Sequence, residues 1–100
     1  NSASIDLTKA IALKPNKIKP LYLRANAYKN LEKYTEAVED INKVIQLKPD
    51  YAEAFLIRGI SQFYLRKYLE ADTDLKKAVS LNSKLQPNAN TYFEKLKNHI

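Results

Sequence analysis

Apolar residues along this chain recur at helical spacing, and the pattern returns at a fixed interval, as in Leu7/Ile41/Leu75, Ala10/Val44/Ala78 and Ile11/Ile45/Val79 (41 − 7 = 34; 75 − 41 = 34). Small and polar positions keep the same interval: Ala3/Ala37/Ala71, Leu13/Leu47/Leu81, Asp6/Asp40/Asp74 and Lys9/Lys43/Lys77 occur three times, and Arg24/Arg58, Leu31/Leu65, Tyr34/Tyr68 and Glu36/Glu70 twice. Read with the turn residues, the spacing predicts helices over about 2–13, 19–31, 35–47, 52–65 and 69–81, with a closing helix over about 90–99. Pro20 falls in a first turn, where the missing N–H has no helical partner to lose, whereas Pro15 and Pro49 stop the helices before them. Short connections make consecutive helices antiparallel neighbours. Ala37 and Ala71 are expected where the two helices of a hairpin cross closely, because a larger side chain there would force them apart.

A helix–turn–helix unit repeating at this interval resembles the tetratricopeptide repeat (TPR) family. Over residues 18–51 the family pattern is matched by Leu21, Ala25, Tyr28, Tyr34, Ala37, Ile41, Val44 and Pro49; over 52–85 it is matched by Phe55, Gly59, Tyr68, Ala71, Leu75 and Ala78. The departures are specific. Gln62 replaces the counterpart of Tyr28, Ser83 that of Pro49, Arg24 and Arg58 stand where the simple pattern has Leu, and Glu32 and Arg66 replace an inter-helix glycine. The resemblance implies an all-α fold, a right-handed solenoid of antiparallel helix hairpins. On this reading residues 1–17 carry the second helix of a truncated unit, 18–51 and 52–85 are full units, and 86–100 form a C-terminal capping helix, as in a fragment of a longer array. Tyr92, Phe93, Leu96 and Ile100 supply the inward face of that last helix, and Pro87–Thr91 reads as the turn before it.

Composition adds exclusions. One Gly and four Pro in 100 residues disfavour a turn-rich β fold, and no Cys means no disulfide and no thiolate metal site. His99 is the single histidine and reads as a solvated helix end; Asp72 and Asp74 are too close in sequence to share a helix face and read as surface acids. The Asp6–Lys9, Asp40–Lys43 and Asp74–Lys77 pairs read as exposed ion pairs within their helices. No nucleophile–base group or phosphate loop is visible, so the reading is non-enzymatic, without cofactor or metal. The formal charge of +6 and pI near 9.5 favour acidic surfaces, but the lysines are scattered rather than striped, which argues against nucleic acid. No long apolar run marks a membrane segment, and the expected compartment is the cytoplasm.

Two functional readings follow. In the first, the chain is a protein-interaction scaffold whose concave face binds a partner peptide or helix. The face is drawn from Lys19, Tyr22, Leu23, Asn26, Lys29 and Asn30 on one first helix and Glu53, Leu56, Ile57, Ile60, Phe63 and Tyr64 on the next. Helix 52–65 is apolar almost all round, a property of helices that are buried or carry a binding surface. A basic, polar segment beside an apolar one suits a peptide with acidic or C-terminal carboxylate character. Lys19–Tyr28 is also similar to the TPR units that clamp the C-terminal carboxylate of heat-shock chaperones, with Lys19 retained but Leu23 in the place of the clamp Arg, which leaves the clamp incomplete. In the second reading the chain is an architectural spacer and its apolar faces meet only neighbouring repeats. Solvent exposure of Leu56, Ile57, Ile60, Phe63 and Tyr64 separates the two. Helix 2–13, lacking a hairpin partner, is expected to promote self-association through Ile5, Leu7, Ile11 and Leu13.

Overall fold

The computed structural model describes residues 18–99, and they contain five α-helices, one 3₁₀ turn and no strand. The helices are α1 (Ile18–Asn30), α2 (Tyr34–Leu47), α3 (Ala52–Tyr64), α4 (Tyr68–Leu81) and α5 (Gln86–Leu96), with the 3₁₀ turn at Ser83–Leu85. α1 and α2 form one hairpin and α3 and α4 a second; α3 packs back on α2, and α5 packs on α4 and α3. The four helices of the hairpins lie within a residue of the ranges the periodicity predicts. The expected helix at 2–13, and with it the expected self-association surface, lies outside the described residues.

Each hairpin turn solves the same backbone problem in the same way. Lys33 N–H donates to the Tyr28 carbonyl and Glu32 N–H to the Lys29 carbonyl; one repeat on, Lys67 N–H donates to Gln62 and Arg66 N–H to Phe63. This is the Schellman arrangement, which satisfies last-turn carbonyls by putting one residue in the left-handed region. Those residues are Glu32 (φ 61°) and Arg66 (φ 64°), the two positions where the family pattern has glycine. A side chain there costs about 1 kcal/mol of backbone strain, twice over.

The C-terminal helix departs from expectation. Residues 87–91 are not a turn: α5 begins at Gln86 with Pro87 in its first turn, and the chain is redirected earlier, where the Asn82 side chain accepts from Lys84 N–H. Proline disrupts a helix interior but fits its start, so a Pro–Asn cluster marks a helix beginning as readily as a break. The earlier start has a structural consequence. Gln86 follows Ala52 at the repeat interval, as Ala52 follows Ile18 (86 − 52 = 34; 52 − 18 = 34), so α5 holds the phase of a third first helix. Ala89 falls in the column of Leu21 and Phe55, and Leu96 in that of Tyr28 and Gln62; both Ala89 and Leu96 are buried. The opposite face, Asn88, Asn90, Thr91, Glu94, Lys95 and Asn98, is exposed and polar.

The core forms two clusters. Leu21, Ala25, Ile41, Val44, Ala54 and Ile57 make one, and Phe55, Leu56, Ile60, Ala71, Leu75, Ala78, Ala89 and Leu96 the other. α3 supplies both. α3 and α4 cross closely at Gly59, where an added Cβ would lie 2.9 Å from Leu75 Cγ and 3.2 Å from the Ala71 carbonyl oxygen. Ala71 and its counterpart Ala37 are fully buried, as their small size requires.

Candidate functional site

The sequence places twelve side chains on the first-helix face, and the two helices that carry them differ sharply. On α1, Lys19, Leu23 and Asn30 are exposed and Tyr22, Asn26 and Lys29 half-buried, so the whole set borders solvent. Leu23, 40% exposed, is an open apolar side chain in the middle of this strip. On α3, Leu56, Ile57 and Ile60 are core residues and do not line a surface. The physical reason is position in the stack: Ile57 is covered from the α1–α2 side, Leu56 and Ile60 from the α4–α5 side. Burial therefore accounts for the all-round apolar character of this helix. Glu53 remains half-buried, and Tyr64, 43% exposed, keeps a large open ring.

Phe63 is half-buried in an aromatic cluster rather than open to the groove. Its ring meets Tyr64, Tyr68 and Tyr92 edge-on at centroid distances of 5.2, 5.7 and 5.6 Å. Tyr64 in turn stacks on Tyr34 at 4.8 Å and lies across Tyr92 at 6.1 Å. His99, read from the sequence as a solvated end, is exposed but stacks on Tyr68 at 4.1 Å. Such contacts add about 0.5–1.5 kcal/mol each beyond burial, and here they fasten Tyr92 of α5 to the end of α3 and His99 to the start of α4. Burial, followed by a hydrogen bond with Tyr64, pushes the Tyr92 phenol up to about 12.

At the other end of the face, Tyr22 stacks on Tyr51 at 5.1 Å. Burial raises the Tyr22 phenol above its ordinary value, with Tyr51 and Glu53 adding to the effect. Lys29 is lowered by burial, which penalises its ammonium. The α1 strip thus carries two lysines nearly three turns apart, with aromatic and aliphatic surface between them.

The most consequential polar groups take partners other than the lysines their helical spacing predicts. Asp40 and Asp74 do not form surface pairs with Lys43 and Lys77; they are 2% and 5% exposed and each is held by an arginine of its hairpin's first helix. Arg24 Nε and a terminal nitrogen each donate to Asp40 at 2.6 Å. Arg58 repeats the fork on Asp74 at 2.7 and 2.9 Å and reaches Asn42 Oδ1 at 3.0 Å. With its amide turned to match its neighbours, Gln62 also donates to Asp74, at 2.7 Å. A buried carboxylate needs donors that a lysine one turn along the helix surface cannot supply, whereas the guanidinium fork fits it. The signal was in the sequence: Arg and Asp recur at the same interval, so the spacing between them is itself repeated. Asp72, by contrast, pairs with Lys76 at 2.8 Å along the helix surface. Among the described residues no group of His, Cys, Asp and Glu is arranged to hold a metal ion, and no helix is long and apolar enough to cross a membrane.

A family model described as tetratricopeptide repeat matches residues 18–51. Among solved structures, the second TPR domain of human RPAP3, in complex with the HSP70 peptide SGPTIEEVD, is 31% identical, with 94% of this chain and 78% of that one aligned and a TM-score of 0.84. The chain belongs to the tetratricopeptide repeat family. The first TPR of Spaghetti (RPAP3), bound to the HSP90 peptide SRMEEVD, is 28% identical over 95% of this chain and 75% of that one, with a TM-score of 0.83. The Arabidopsis OM64 TPR domain superposes with a TM-score of 0.90 at 28% identity, over 98% and 80% of the two chains. No curated protein matches by sequence. As a TPR solenoid, the chain sets its first helices α1, α3 and α5 side by side and its second helices α2 and α4 behind them.

Proposed function

We propose that this TPR module is a non-catalytic protein-interaction scaffold that binds an acidic peptide segment of a partner protein along the α1 strip, from Lys19 past Tyr22, Leu23 and Asn26 to Lys29. The observation that carries this reading is the contrast within the face: α1 leaves lysines and an open leucine at the surface, while α3 has withdrawn its apolar residues into the core. Lysines supply charge complementarity and Leu23 and Tyr22 an apolar anchor. Two of the similar TPR structures hold peptides ending in Glu-Glu-Val-Asp, which supports an acidic partner of this type. Leu23 replaces the arginine of a carboxylate clamp, so Lys19 and Lys29 act here as separate point charges on acidic side chains or a terminal carboxylate. Burial of Leu56, Ile57 and Ile60 favours the architectural reading for α3 alone.

The test is titration of fluorescently labelled SGPTIEEVD into the whole chain, read by anisotropy at two salt concentrations. Saturable binding that weakens with salt is expected, with Lys19→Glu and Lys29→Glu each weakening it about tenfold, a change of about 1.4 kcal/mol. Binding that ignores both substitutions, or no binding at peptide concentrations near about 1 mM, the weak end of the measurable range, would overturn the assignment.

A further inference from the structure

On the side of α3 opposite the groove, a hollow of about 270 Å³ opens among Arg58, Gln62, Leu69, Glu70, Thr73 and Asp74. Residues 58 and 62 project about 120–180° away from Glu53 and Tyr64 around the helix axis, so this site is separate from the peptide strip and does not depend on it. Its floor is rigid. Arg58 is fixed by Asp74 and Asn42, with the Phe55 ring 5.4 Å from its guanidinium carbon. Its wall is Leu69, the most exposed large apolar side chain of the described residues at 68%.

The repeat itself indicates what belongs there. In the first hairpin the residue corresponding to Gln62 is Tyr28, whose ring lies 5.6 Å from the guanidinium carbon of Arg24, the residue corresponding to Arg58. The second hairpin keeps the arginine–aspartate fork but has no ring at position 62; the ring against Arg58 is that of buried Phe55, which does not line the hollow. Gln62 turns its amide down to Glu70 and Asp74 instead, leaving apolar and guanidinium surface uncovered. We propose that this hollow is a second docking site, which receives an aromatic side chain, a tyrosine or phenylalanine of a partner protein, against Arg58 and Leu69. The chain supplies such a ring to itself one repeat earlier, and a guanidinium face beside a leucine offers the cation–π and apolar contacts a ring takes up.

The probe is p-cresol, the tyrosine side chain alone, titrated into the isotopically labelled chain with N-acetyl-tyrosinamide and cyclohexanol in parallel. Saturable NMR shifts are expected at the Leu69 methyls and the Thr73 amide for the two aromatic compounds, with Lys19 and Leu23 unmoved. Gln62→Tyr, which supplies the ring from within, should abolish the shifts and raise Tm. Leu69→Ser, at an exposed position, should weaken p-cresol about tenfold with helicity unchanged, and it carries the test if Gln62→Tyr fails to fold. No saturable shift at Leu69, equal binding of cyclohexanol, or shifts that persist in Leu69→Ser would each overturn the proposal.

Discussion

The two hairpins are built on the same columns and end in different surroundings. Residues 18–51 and 52–85 share the fork of arginine on buried aspartate, the left-handed residue in the turn and the fully buried alanine at the crossing. Yet α1 keeps a polar, half-open face and α3 buries Ala54, Leu56, Ile57 and Ile60. α3 has α2 on one side and α4 and α5 on the other, and a first helix enclosed in that way gives up its surface. Stability in the described residues therefore concentrates in the second hairpin, and the accessible peptide surface in the first.

The largest effect expected from breaking the comparison comes from the arginines. Arg24→Ala strands Asp40, which has no other hydrogen-bond partner among the described residues, and should cost about 3 kcal/mol of unfolding free energy. Arg58→Ala leaves Asp74 with the Gln62 amide as a remaining donor, so its cost should be smaller by about 1 kcal/mol. Urea unfolding of both variants measures the difference; equal losses would show that Gln62 does not share in holding Asp74.

A smaller effect separates the hairpins at their crossings. Ala25 with Ile41 in the first corresponds to Gly59 with Leu75 in the second. Gly59→Ala gains about 1 kcal/mol of helix propensity but drives a methyl into Leu75 and the Ala71 carbonyl, so a net loss of about 1 kcal/mol is expected. Adding Leu75→Ile, the first hairpin's own pairing, should recover most of it, and a double-mutant cycle without coupling would contradict the packing argument. The smallest change is a gain. Ser61, fully buried in the column of Ala27, has a hydroxyl with no hydrogen-bond partner among the described residues. Ser61→Ala should raise stability by about 1 kcal/mol, seen as a higher Tm with the same cooperativity.

Much of this is legible in the sequence. The repeat interval, the helix ranges and the columns Ile41/Leu75 and Val44/Ala78 are local patterns, and all four residues are fully buried. The groove was legible in direction but not in depth. Helical periodicity tells which residues share a face, and it cannot tell whether another helix lies against that face, so Leu56, Ile57 and Ile60 read equally well as anchors or as core. Pro87 misled for a similar reason, since its meaning depends on whether a helix ends or begins there.

The sequence by itself determined the repeat, the hairpins and the small residues at their crossings, because these follow from spacing along a single helix. Only the tertiary structure decided which partner Asp40 and Asp74 take, that α5 occupies the place of a third first helix, and which side chains of α1 and α3 remain at the surface. Each of those depends on what a second or third helix brings within reach, and that distance is set by packing rather than by position in the chain.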